Sequence, residues 1–196
     1  LTAAARVFAQ HGYSAADLDQ VGRKAGVAKS TIYLYFRSKE ALFLATVDDA
    51  MRQLTAAIDT VRDSVTDPLE VIDRAIRVYL EFFDRNPHYV ELLIQERAQF
   101  KDRKTPTYFE HQDANLGPWR DLLRSLIGQK RVRDVPVDRI VNVVGELVYG
   151  TMFTNYFAGR RRSVAQQHQE IVDIVWHGIL SDQERSVQRK RRKKNS

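Results

Sequence analysis

Cysteine is absent from this 196-residue chain, which excludes disulfide staples and thiolate metal sites. No run of about 20 uncharged apolar residues occurs, so no membrane-spanning helix is expected. The longest candidate, 147–159, is 13 residues long and fits a buried helix better. The five histidines, His11, His88, His111, His168 and His177, are scattered without an HExxH pair. GxGxxG, Walker and nucleophile-elbow patterns are missing too. These gaps speak against an enzyme, a metal site and a cofactor. Strand-like alternation and internal repeats are lacking as well. There is no cationic leader followed by an apolar block, and because the chain opens inside a helical pattern, what precedes Leu1 stays open.

What is present is helical periodicity with an uneven distribution of charge. Hydrophobic residues at 43% place the chain in the globular class. Residues 1–47 carry six Lys/Arg against three Asp/Glu, or +3, while residues 48–182 carry 18 against 21, or −3. Residues 183–196 carry seven against one, or +6, and read as a basic, disordered tail that is either merely solvated or lends non-specific help on DNA. A cationic head on a mildly acidic body suits a protein that touches DNA at one end. The spacing predicts a domain over 1–47 and a larger helical one over 48–182.

Residues 18–42, LDQVGRKAGVAKSTIYLYFRSKEAL, read as two short helices across a glycine turn, the pattern of a helix-turn-helix. Leu18, Val21 and Ala25 share one face of the first helix. Gly26 supplies the turn, and Val27 is expected to point into the small core. Ile32 and Phe36 continue the apolar stripe, leaving Lys29, Ser30, Thr31, Tyr33 and Tyr35 outward. A long fourth helix starts at Ser38 with a stripe of Phe43, Val47, Met51, Leu54, Ile58, Val61 and Val65. Asp67-Pro68, Asn86-Pro87 and Thr105-Pro106 read as cap-plus-proline helix starts, with Glu70 closing a capping box. Gly117-Pro118 is expected to start or kink a helix to about Gln129. Strongly apolar helices follow near 137–157 and 164–180.

The head resembles the DNA-binding domain of the tetracycline-repressor (TetR) family of bacterial transcription regulators. The resemblance rests on Ala5, Phe8, Gly12, Tyr13, Val21, Ala25-Gly26-Val27, Thr31-Ile32-Tyr33, Tyr35-Phe36, Ser38-Lys39-Glu40 and Leu42. Three positions depart from the family pattern. Ala16 stands where threonine is usual before the second helix, so the cap falls to Asp17 or Ser14. Gly22 stands where alanine is usual, at a cost of about 1 kcal/mol in helix propensity, and Ala28 stands where serine is common. The resemblance implies an all-α fold: an N-terminal three-helix helix-turn-helix domain joined by a long helix to a larger ligand-binding and dimerisation domain.

On that footing Lys39 would hold a phosphate, and the Tyr33 and Tyr35 hydroxyls would reach the backbone on either side. Lys29, Ser30 and Thr31 would lie nearest the bases, Lys29 facing guanine O6 or N7. The resemblance singles out Thr31, Tyr33 and Lys39. It also implies a homodimer through the last two helices on a palindromic operator in double-stranded DNA, and a small, largely apolar effector in the body. Candidate pocket residues are Phe82, Phe83, Tyr89, Leu93, Glu96, Phe100, Trp119, Tyr149, Phe153 and Tyr156, with Asn155 as a further polar group. The expected function is a cytoplasmic, ligand-released repressor. The alternatives are a DNA-binding factor of the same fold that is controlled by a protein partner or acts architecturally, and a helical ligand-binding module whose head serves another purpose.

Overall fold

The computed structural model describes residues 1–159 and 162–177. The basic tail and the end of the last expected helix lie outside them. Nine helices and no strand occur among the described residues: α1 (Thr2–Ala15), α2 (Leu18–Ala25), α3 (Lys29–Tyr35), α4 (Lys39–Ser64), α5 (Pro68–Arg85), α6 (Pro87–Gln99), α7 (Thr107–Gly128), α8 (Val137–Ala158) and α9 (Val164–His177). Helices α1–α8 belong to one compact unit, Leu1–Arg161, and α9 to a second. Among the described residues no helix is long and apolar enough to cross a membrane.

Local chemistry sets most helix ends. The Asp17 carboxylate accepts from the Asp19 amide at 2.9 Å and opens α2. Ser38 Oγ accepts from the Ala41 amide at 3.0 Å and opens α4. Asp67 accepts from the Leu69 amide at 3.1 Å, with Pro68 in the first turn of α5, where a missing N–H costs nothing. Gly12, at φ 77°, breaks the helical path inside α1, and the Tyr13 ring beyond it packs against Phe8 and Phe43 of the head core.

Four expectations need correction. Asn86 does not cap α6, because its Nδ2 donates to the Phe82 carbonyl at 2.8 Å and closes α5 instead. Thr105 gives α7 no cap; Glu96 of α6 does so from a distance, its Oε1 accepting from the Thr107 amide at 3.0 Å and hydroxyl at 2.7 Å. Of the two alternatives at Pro118, a helix start is ruled out, since α7 runs through it to Gly128. Glu70 turns to Arg74, at 2.5 Å, rather than back to the cap.

The head core gathers Ala4, Ala5, Val7 and Phe8 of α1, Leu18 and Val21 of α2, Ile32 of α3, and Leu42, Phe43 and Val47 of α4, all buried. With 26 residues, α4 spans roughly 39 Å. Its stripe is buried to Leu54, but Ile58, Val61 and Val65 are only half-buried. Phe100, at the end of α6, enters the head core. Its ring lies 5.1 Å from Tyr13 and 5.6 Å from Phe43, and Phe8 meets Phe43 edge-on at 5.0 Å. Buried Gln95 donates from Nε2 to the Phe8 carbonyl at 2.9 Å, tying α6 to α1.

Candidate nucleic-acid interface and body cleft

The turn between α2 and α3 is a Schellman motif. Gly26 sits at φ 72°, its amide reaches the Arg23 carbonyl at 3.4 Å, and the Val27 amide reaches that of Gly22 at 2.9 Å. A Cβ on Gly22 would lie 2.7 Å from the Val27 carbonyl oxygen, closer than real contacts allow. Glycine at 22 therefore permits the tight crossing of α2 and α3. Val27 is not in the core, contrary to expectation: it is 42% exposed. Ala25 is exposed as well, so the core face of α2 reduces to Leu18, Val21 and the bare backbone at Gly22.

On α3, Ile32 is buried and anchors the helix. Around it Ser30 is exposed, Thr31 is half-buried, Tyr33 is 48% exposed, Leu34 83% and Tyr35 79%. Lys29 does not point freely outward. Its Nζ donates to Asp19 Oδ2 at 2.8 Å and lies 3.7 Å from Asp17. The Asp19 hydrogen bond holds the ammonium above its usual range, and the Asp19 amide holds the Asp17 carboxyl below the usual carboxylate range. Lys39, at the start of α4, donates to the Ser14 carbonyl at 2.9 Å and stands 5.2 Å over the Tyr13 ring, where its charge meets the π face. Sequence reasoning overlooked Leu34. Its spacing from Ile32 was the signal, since two residues along a helix turn about 200°, to the opposite face.

The candidate pocket residues fall into separate groups. Phe100 belongs to the head core. Phe82, Phe83 and Tyr89 pack together on α5 and α6, while Tyr149 and Phe153 on α8 join Tyr108 and Phe109 of α7. The two groups meet where the Tyr79 and Tyr108 hydroxyls hydrogen-bond at 2.9 Å. Burial pushes the Tyr108 phenol up to about 12 and Tyr79 well above its usual value, so both stay neutral. Leu93 is buried, Trp119 is half-buried on α7, and Glu96 is committed to capping α7. A cleft of about 280 Å³ opens between α5, α6 and α8, lined by Leu80, Phe83, Val90, Met152, Asn155 and Tyr156 among others. Tyr156 donates to Glu91 at 2.5 Å beside it.

Residues 1–46 match the family model described as bacterial regulatory proteins, tetR family. The chain carries a tetR-family head. One curated relative, the HTH-type transcriptional activator FasR of Mycolicibacterium smegmatis, is 28% identical over 95 residues, 48% of this chain and 43% of that protein. The chain thus spans less than half the length of that relative. Among solved structures, the fatty acid degradation regulator FadR from Bacillus halodurans superposes with a TM-score of 0.77 at 17% identity, covering 91% of this chain and 93% of that one. FadR from Bacillus subtilis, solved in complex with stearoyl-CoA, gives 0.73 at 18% identity, covering 91% and 97%. These likenesses establish the all-α fold with an N-terminal helix-turn-helix. Within it, α1–α3 and the first turns of α4 make up the tetR-family head.

Proposed function

We propose that this chain is a DNA-binding transcriptional regulator that reads a palindromic operator as a homodimer and is released by a small, largely apolar ligand held in its body. The observation that carries the reading is the outer face of α3. Hydroxyl and apolar side chains stand exposed around a single buried anchor, Ile32, on a helix too short to serve the core in any other way. The +3 charge of residues 1–47 supplies attraction to phosphates.

The dimer is supported by α8, which leaves Val143 57% and Phe157 70% exposed, with Leu147 exposed on the same helix. Apolar surface of that extent on one helix calls for a partner. Two-fold symmetry then requires a palindromic site with half-sites about one helical turn, or a multiple of it, apart. The ligand is supported by the cleft between α5, α6 and α8. Acyl chains are the first class to test, because a similarly folded regulator was solved with stearoyl-CoA. Release requires the ligand to prefer the DNA-free conformation, by about 10⁴-fold for a nearly complete switch.

Selection of duplexes from a random pool by the full chain should return an inverted repeat, and long-chain acyl-CoA titrated into the resulting complex should free the DNA. A pool that emerges without any enriched sequence would end the DNA reading. An acyl-CoA that binds the chain without displacing an enriched operator would end the acyl-release reading.

A further inference from the structure

We propose that Leu34 determines sequence preference by packing its side chain on the C5 methyl of a thymine in the major groove. This assignment rests on the DNA-binding reading above and adds to it a base and a residue.

The geometry of α3 carries it. Leu34 lies two residues beyond buried Ile32, about 200° around the helix, and so directly opposite the anchor. Ser30, one turn earlier, falls on the same line at four residues' spacing. The centre of the outer face is therefore a hydroxyl followed by an isobutyl group, flanked by Thr31 on one side and Tyr33 on the other. Leu34 is 83% exposed, the highest value among the large apolar side chains that stand in solvent among the described residues. Its burial contributes nothing to this chain's own fold.

The groups available on that line also narrow the base. Guanine is read in the major groove by a free cation and adenine by a side-chain amide. The face of α3 holds no arginine, asparagine or glutamine. Its one lysine, Lys29, sits off the central line and is engaged by Asp19 at 2.8 Å. Thymine alone presents a methyl group in that groove. An exposed leucine on the outward line of a short helix, near its C-terminal end and in a head of net positive charge, matches that methyl. A protein partner would be expected to cover a broader apolar patch, and the neighbours of Leu34 are hydroxyl-bearing.

The test uses the full chain and the operator recovered from random duplex. Each thymine of one half-site is replaced singly by deoxyuridine, which removes the methyl and leaves base pairing intact. For the wild-type chain, one position should lose about fourfold in affinity, the value of one buried methyl. In Leu34→Ala that position should become indifferent to the substitution, while losses at other thymines persist. Leu34→Met, still apolar and of similar length, should keep the sensitivity. Because Leu34 is exposed, an unchanged melting temperature for Leu34→Ala checks that the fold is intact. The assignment is overturned if deoxyuridine costs the same in wild type and Leu34→Ala at every position. It is equally overturned if Leu34→Ala binds as tightly as wild type, which would leave Leu34 to another protein. Failure of the wild-type chain to select any duplex would bring down the DNA-binding reading together with this one, so the two failures are told apart by the first step.

Discussion

Gly22 costs about 1 kcal/mol of helix propensity relative to alanine, yet a methyl there would press to 2.7 Å from the Val27 carbonyl oxygen. That oxygen is backbone, held in a hydrogen-bonded turn, and has nowhere to go without moving α3. Overpacking of this kind typically costs about 1–3 kcal/mol, which exceeds the propensity gained. Gly22→Ala should therefore lower stability in urea denaturation, and DNA affinity should fall further than stability alone requires. An alanine variant at least as stable as the parent would show that the crossing of α2 and α3 is looser than described. Lys29 and Lys39 make a related point. Both are engaged within the head, Lys29 with Asp19 and Lys39 with the Ser14 carbonyl, so either must exchange an internal partner for a phosphate or base.

At the scale of elements, helix starts divide by the distance between cap and capped amide. Asp17, Ser38 and Asp67 each satisfy an amide two or three residues away, and those starts were legible from the sequence. The Gly26 turn was legible for the same reason. The start of α7 at Thr105-Pro106 was legible too, but its cap was not, because Glu96 belongs to the preceding helix and is chosen by tertiary packing. Pro118 misled for a different reason: the stretch of α7 around it is exposed, so water can meet the carbonyl that its missing N–H leaves without a helical partner. The aromatic residues of the body were legible as a set, but not their partition between head core and cleft, which depends on how α5–α8 pack. Glu96 also yields a prediction. Its Oε1 serves two donors while Oε2 is buried without a hydrogen-bond partner. Glu96→Ala should destabilise the protein by about 1–3 kcal/mol, and Glu96→Gln, which keeps the accepting oxygen, should recover most of that. Equal losses in the two variants, measured by thermal melting, would mean that volume rather than capping matters there.

At the scale of the molecule, the proposed dimer makes α8 the element to perturb. Val143→Glu places a charge on a surface that the dimer would bury, while the single chain leaves it open to water. Light scattering on a sizing column should report a monomer of normal helicity, and binding to a full operator should drop towards that of a half-site. A dimer of undiminished affinity would assign the interface elsewhere. The entry of Phe100 among Tyr13 and Phe43, with the Gln95 bond to the Phe8 carbonyl, bears on engineering. A hybrid that grafts residues 1–47 onto an unrelated body would leave its aromatic floor open and lose the Gln95 bond to the Phe8 carbonyl. Portability of this reader therefore requires α6 to travel with it.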